Sequence, residues 1–152
     1  MKAKKFIQFI CENFCKRLIS KPKITGNISI TALATLLSLN GIKNIYLADK
    51  SYDLCPVGEA SRFLALDRTD LKDYRAEVAD CDDFSRELWH YWKDWQSTLA
   101  FGIAWSGTHA FNIFVDDQKE VWIVEPQADR LIKLSLAKQI RPKYWPIRMV
   151  VI

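Results

Sequence analysis

Residues 80–95, DCDDFSRELWHYWKDW, carry the pattern that decides the fold. Four apolar residues recur there at spacings of four, three and four: Phe84, Leu88, Tyr91 and Trp95. This spacing predicts an amphipathic helix over residues 82–97 with one buried stripe. Stepping back three residues from Phe84 reaches Cys81, so we expect the thiol at the N-terminal end of that stripe.

The start of a helix is a favourable place for a reactive thiol. Its free N–H groups and partial positive charge stabilise a thiolate, and the same N–H groups can receive an oxyanion. The flanking carboxylates of Asp80, Asp82 and Asp83 oppose this effect unless they point away or a cation offsets them. Cys81 is therefore a candidate nucleophile, with a small core residue as the alternative interpretation.

Residues 107–125, GTHAFNIFVDDQKEVWIVE, predict two strands, 109–115 and 120–125, joined by a short loop. Alternation places His109 at the end of one apolar row and Glu125 at the end of the other. An odd loop that closes Val115 against Lys119 puts both rows on one face, with His109 directly opposite Glu125. An even loop would separate them, but only the odd register buries the apolar residues of both rows against one helix.

A helix-start cysteine, a strand histidine and a next-strand acid together predict a nucleophile, a base and an orienting carboxylate. We therefore assign Cys81, His109 and Glu125 as candidate catalytic residues, with a structural histidine and a loop acid as the alternatives. His90 lies within the same predicted helix as Cys81 and cannot turn back towards it. Asn112 faces away from His109 and is a weak orienting residue.

The chain as a whole predicts one domain and an N-terminal arm. Residues 1–23 form a basic amphipathic helix or arm, and residues 24–152 form the domain. Within the domain we expect a helix over 28–39, a strand over 42–48, an acidic irregular stretch over 49–83, a short element near 131–139 and a last strand over 146–152. The fold class expected is α+β, with N-terminal helices and a central helix packed on an antiparallel β-sheet.

Composition narrows the function classes. The chain has 152 residues and a net charge of +4, but residues 1–23 carry seven of the Lys and Arg residues and one acid. No nucleic-acid groove is indicated across the domain, whereas the basic arm predicts either contact with a membrane surface or polyanion or a solvated helix end. The four cysteines form no C-x-x-C pair or zinc spacing, and no signal peptide or membrane span is evident, so we expect a cytoplasmic protein with reduced thiols.

The stretches DCDDFSRELW and GTHAFNIFVDDQKEVWIVEPQ resemble the papain-like and transglutaminase-like cysteine peptidase superfamily. They are most similar to the protease-like C-terminal domain of fairy-ring mushroom agglutinin and its bacterial and phage relatives. The resemblance covers residues 42–130 and implies a papain-like cysteine hydrolase domain in which Cys81 is nucleophile, His109 base and Glu125 orienting acid. It also implies dependence on calcium, but not glycan binding, because the lectin half is absent.

Three functions remain open at this point. The first is a cysteine peptidase or amidase that cuts a peptide or amide substrate through a thioester. The second is an acyltransferase of the transglutaminase type on the same triad, and the third is a non-catalytic binding or assembly module. No cofactor is required by the sequence; Ca²⁺ is a possible ligand of Asp80, Asp82 and Asp83, since hard cations take carboxylate oxygens.

Overall fold

The computed structural model describes residues 20–140 and 142–152. The helix predicted over residues 4–19 of the arm lies outside the described residues. The described chain forms eight strands: β1 (Gly26–Ser29), β2 (Ile45–Tyr46), β3 (Ser51–Leu54), β4 (Phe101–Trp105), β5 (Ala110–Val115), β6 (Val121–Glu125), β7 (Arg130–Lys133) and β8 (Met149–Val151). Its four α-helices are α1 (Ile30–Leu39), α2 (Val57–Leu64), α3 (Cys81–Trp95) and α4 (Leu134–Ala137).

Six strands form the main sheet in the order β2-β8-β4-β5-β6-β7, and β1 pairs with β3 in a separate antiparallel ribbon. The sheet departs from the antiparallel sheet expected from the sequence, because β2 runs parallel to β8. The edge strand β2 has two residues instead of the predicted seven. No helix in the described part of the chain is both long and apolar enough to cross a membrane.

The stretch 49–83, predicted to be irregular, also contains regular structure. It includes β3 and the helix α2, which begins after Pro56 and buries Ala60, Phe63 and Leu64. The polar residues of α2 obscured its apolar periodicity in the sequence. Two of them, Glu59 and Arg62, form an ion pair one turn apart on its surface. The longest part of this stretch without a strand or an α-helix is residues 65–80.

The two faces of the sheet are covered by different helices. Leu88, Trp92 and Trp95 of α3 pack with Phe101 and Phe114 in one core cluster. The row Phe111, Ile113 and Val115 lies in the other cluster, together with Leu33 and Leu37 of α1. Both apolar rows are therefore buried on the face that α1 covers, and α3 covers the opposite face, because β5 is buried on both sides. All six residues of β5 are buried.

The β5–β6 hairpin keeps both rows on one face but with a different register. Val115 pairs with Val121 rather than with Lys119, so His109 is not directly opposite Glu125. The reason is Asp116, whose side chain accepts hydrogen bonds from Gln118 N and Glu120 N and so closes a five-residue loop. A two-residue shift preserves the facing of every side chain, because the side-chain period of a strand is two.

Close contact of β4 with β8 completes the centre of the sheet. A Cβ atom on Gly102 would lie 2.0 Å from the carbonyl oxygen of Val151, so only glycine fits there. The Asn112 side chain, buried on the α3 side of the sheet, donates to Ser85 O at 2.9 Å and to Gly102 O at 3.1 Å. These bonds fix the height of α3 over β4 and β5, which sets the position of Cys81.

Candidate functional site

Cys81 is the first residue of α3 and is half-buried. The preceding Asp80 caps the helix: its side chain accepts from Asp82 N at 3.3 Å, and the Asp83 side chain accepts from Asp80 N at 3.3 Å. The backbone N–H of Ala110, at the start of β5, donates to Cys81 Sγ at 3.4 Å. The end of the helix thus meets the start of the strand, and the sulfur lies beside the residue that follows His109.

His109 and Glu125 contact each other. His109 Nε2 lies 2.8 Å from Glu125 Oε2, and the two side chains are only 10% and 3% exposed. Because Nε2 is engaged by the carboxylate, Nδ1 is the ring nitrogen left for a second partner. The carboxylate therefore fixes the orientation of the imidazole, despite the shift in strand register.

Two further residues bind the same carboxylate oxygen. The Tyr144 hydroxyl donates to Glu125 Oε2 at 2.7 Å, and the Lys143 ammonium lies 2.9 Å from it. Burial alone would raise the pKa of Glu125, but the hydrogen bond and charge of His109, with the hydrogen bonds of Tyr144 and Lys143, hold that pKa at about 2. Glu125 is therefore ionised at neutral pH, and the adjacent Lys143 ammonium offsets its charge.

The turn before His109 is held by Ser106. The Ser106 hydroxyl donates to Lys143 O at 2.7 Å and accepts from His109 N at 3.1 Å. It thereby joins the β4–β5 turn to the segment that carries Lys143 and Tyr144. Sequence reasoning missed Ser106, Lys143 and Tyr144, because they lie in loops without periodicity. Lys143 and Tyr144 meet Glu125, and Ser106 meets Lys143, only through the tertiary fold.

A cleft of about 590 Å³ opens over the thiol and the imidazole. Its lining combines titratable, polar and aromatic side chains: Asp70, Lys72, Tyr74, Cys81, Phe84, Thr108, His109, Gln127 and Lys143. Gln127 contributes a side-chain amide to this lining, and residues 49–54 are not part of it. We call this cavity the thiol cleft.

Among the described residues, the other histidine and the other cysteine do not share this setting. His90 is exposed on α3 and lies 3.8 Å from Asp94. Cys55 is fully buried, and burial, with the nearby Glu59 and Asp117, raises the pKa of its thiol to about 12. Cys11 and Cys15 lie outside the described residues.

The acidic residues around Cys81 have a structural role. Asp80, Asp82 and Asp83 can bring one carboxylate oxygen each within 4.8 Å of the others, a spacing that suits a cation. A hydrogen bond between Asp80 and Asp82 lowers the pKa of Asp80 and raises that of Asp82. Arg86, however, already pairs with both Asp82 and Asp83. A calcium site here stays a prediction, which thermal unfolding in Ca²⁺ and in chelator checks.

The comparisons with known proteins rest on structure. No family model matches the chain, and no curated protein matches it. The fold is similar to that of a structure titled "PSL1a-E64 complex", with a TM-score of 0.70 and 17% identity over 83% of this chain and 51% of that one. It is also similar to Polyporus squamosus lectin bound to Neu5Acα2-6Galβ1-4GlcNAc, with a TM-score of 0.66 and 19% identity over 83% of this chain and 49% of the lectin chain.

These comparisons correct the assignments made from the resemblance. The chain spans about half the length of the chains it matches, one of which is titled a lectin and neither of which is titled a peptidase. The assignment to the papain-like and transglutaminase-like superfamily, as family and as fold, is replaced by the fold shared with these chains. The prediction that the chain is a cysteine peptidase or amidase, that is, a hydrolase of the thiol-protease type, is likewise withdrawn. Two short sequence stretches were too little to decide either point.

Proposed function

We propose that the chain is a ligand-binding module and that its binding site is the thiol cleft. The observation that carries the proposal is the half-buried Cys81 in the lining of that cleft, with its sulfur beside the Ala110 N–H. A cleft with a few convergent polar groups is the usual form of a small-molecule site. This is the third of the functions that the sequence left open.

The proposal includes a chemical role for each of the three predicted site residues. Cys81 is the nucleophile, His109 receives the thiol proton, and Glu125 orients the imidazole through Nε2. The ligands that such a site holds best carry an electrophilic carbon. With an epoxide, the Sγ–C bond forms as one ring C–O bond breaks, and the thiol proton passes through His109 to the new alkoxide oxygen.

E64 is a suitable probe, because it carries an epoxide and because one structural neighbour is titled as its complex. We expect the intact protein to gain the mass of one E64 molecule, faster than a denatured sample of the same chain does. Cys81→Ala should gain none, whereas Cys55→Ala is the matched control and should react like the unaltered protein. Reaction at the rate of the denatured chain, or reaction that persists in Cys81→Ala, would rule out the thiol cleft as the site.

A glycan is the second candidate ligand. The observation in its favour is the lectin neighbour, together with a cleft that offers Tyr74 as a stacking surface and Lys72, Gln127 and Lys143 as polar partners. Calorimetric titration with Neu5Acα2-6Galβ1-4GlcNAc tests it. Sugar binding that E64 labelling and Tyr74→Ala both abolish would support a glycan in the cleft, and sugar binding unaffected by both would exclude the cleft as its site.

Three expectations about the surroundings stay predictions. The first is the division into an arm over 1–23 and a domain over 24–152. The second is contact of the arm with a membrane surface or polyanion, and most residues of the arm lie outside the described residues. A cytoplasmic location would suit the free thiols of Cys55 and Cys81. Fractionation of cells and thiol labelling in situ would check the location.

A further inference from the structure

The segment between α2 and α3, residues 65–80, borders the thiol cleft and is well fixed in place. We call it the cleft loop. Its short 3-10 turn, Thr69–Leu71, buries Thr69, and the Asp67 side chain accepts from Thr69 N at 3.0 Å. Lys72 pairs with Glu87 of α3, and Arg75 exchanges backbone hydrogen bonds of 2.9 and 2.7 Å with Ala79. The loop therefore presents its other side chains in defined positions.

Those side chains are apolar to an unusual degree for a solvated loop. Leu71 is 71% exposed and Val78 67%, and Tyr74 and Leu66 are exposed as well. A loop that needs only to connect two helices gains nothing from four large apolar side chains in water. Several exposed apolar side chains on one short segment that also carries charged residues are typical of a binding surface.

The cleft loop carries a net negative charge. Five acids stand against three bases over residues 65–80. Asp67 and Asp70 also face Asp129 of the β6–β7 turn, and none of the three takes part in an ion pair within the described part of the chain. Burial, and after it the charges of Asp70 and Asp67, raise the pKa of Asp129 to about 7.

The cleft loop is continuous with the proposed site, since Asp70, Lys72 and Tyr74 belong to both. We propose that the cleft loop is the docking surface for a cationic, amphipathic peptide segment that continues from it into the thiol cleft. Apolar side chains of the segment would cover Leu71 and Val78, and its cations would pair with Asp67, Asp70 and Asp129. An anionic membrane surface is disfavoured as the occupant, because the carboxylates would repel it.

This inference rests on the proposed function, and it can be tested apart from it. The probe is a short fluorescent peptide of alternating leucine and lysine, and the matched control replaces lysine with glutamate. We expect the lysine peptide to bind at least about tenfold more tightly, with an affinity that falls as salt rises. Bound peptide should also slow the alkylation of Cys81 by iodoacetamide.

Two variants locate the surface. Leu71→Ser combined with Val78→Ser removes exposed apolar area without touching the core, and we expect it to weaken peptide binding by about tenfold or more. Leu39→Ser is the control, because Leu39 on α1 is 83% exposed and outside the loop. Asp70→Asn should weaken the lysine peptide and leave the glutamate peptide unchanged.

The outcomes separate the two proposals. Equal affinity for both peptides, equal weakening by Leu39→Ser, or preferential binding to phosphatidylserine vesicles would overturn the docking surface while E64 labelling of Cys81 still supported the thiol cleft. Tight, loop-dependent binding of the lysine peptide without E64 labelling would overturn the role of the thiol and keep the docking surface.

Discussion

The two ends of α3 differ in almost every physical property. At its C-terminal end Trp92 stacks on Phe101 with ring centroids 3.9 Å apart, and Trp95 meets Trp92 edge to face. At its N-terminal end a half-buried Cys81 follows a carboxylate cap and faces an open cleft. One helix therefore anchors the fold at one end and offers chemistry at the other, so that the polar site is held by elements whose stability comes from elsewhere.

The largest expected effect is a difference in stability between variants at the two ends of α3. Trp92 is fully buried in an aromatic cluster, so Trp92→Ala should lower the free energy of unfolding by about 3–5 kcal/mol. Cys81→Ala removes one sulfur atom at a half-buried position and should lower it by less than about 1 kcal/mol. Urea denaturation followed by tryptophan fluorescence and circular dichroism measures both. Similar losses in the two variants would show that the site end also carries the fold.

The next effect concerns the link between the ends. Asn112 donates to the Ser85 and Gly102 carbonyls, so Asn112→Ala leaves two buried acceptors without that donor. We expect a loss of about 1–3 kcal/mol and slower E64 labelling, because α3 is no longer held at its present height. Thr35→Ala on the exposed side of α1 is a suitable control. Unchanged labelling after Asn112→Ala would mean that the capping box alone positions Cys81.

Glu125→Gln tests the site end itself. Loss of the charge that balances His109 should slow E64 labelling at neutral pH by at least about tenfold. Because the pKa of Glu125 is about 2 in the folded protein against an ordinary 4.5, its ionisation stabilises the fold above pH 4.5 and this contribution disappears as the pH falls towards 2.

The stability difference between Glu125→Gln and the unaltered protein should therefore be largest above pH 4.5 and vanish near pH 2, as measured by chemical denaturation across that range. Tyr144→Phe is the matched control, since it removes one donor to the carboxylate and keeps the charge. Labelling at an unaltered rate in Glu125→Gln would show that the carboxylate does not orient His109.

The smallest effect lies at the acidic rim of the cleft. The pKa of Asp129 is raised to about 7 by burial and by Asp70 and Asp67, so its ionisation destabilises the fold as the pH rises from about 4 through 7. Asp129→Asn should therefore raise the melting temperature by a few degrees at pH 8 and leave it unchanged at pH 4. Asp117→Asn, at the other end of β6, controls for a general loss of negative charge. An equal rise at both pH values would exclude titration of Asp129 as the cause.

The local sequence pattern predicted the positions of the helices and strands well, but it predicted their contacts with one another poorly. The apolar spacing located a helix over 82–97 where the structure has Cys81–Trp95, and the buried residue is Trp92 where Tyr91 was expected. Strand alternation put His109 and Glu125 on one face, but the register depends on Asp116, whose capping of the loop is a side-chain event that alternation does not encode. Nothing in a strand's own sequence says which helix will cover which face, so the helix over the row that ends in His109 could not be identified from the sequence.

At the candidate site, too, the sequence predicted residues within the regular elements but not the tertiary contacts made by loop residues. Lys143 and Tyr144 are neighbours of Glu125 only because the chain returns to it from residues 143 and 144. Such contacts depend on the whole fold, and a single sequence carries no periodic signal for them. The family assignment went wrong for a related reason, since a short motif constrains local chemistry more than it constrains ancestry.

The donor to the thiol has a consequence for how this position can change over generations. Cys81 Sγ receives the backbone N–H of Ala110, and every amino acid except proline supplies that N–H. Point mutation can therefore alter the identity of residue 110 without removing the donor, whereas a side-chain donor would be lost to most substitutions. Most substitutions of residue 110 therefore keep this contact. The contacts of the Glu125 carboxylate are different, because a substitution of Tyr144, Lys143 or His109 removes the phenol, ammonium or imidazole that makes them.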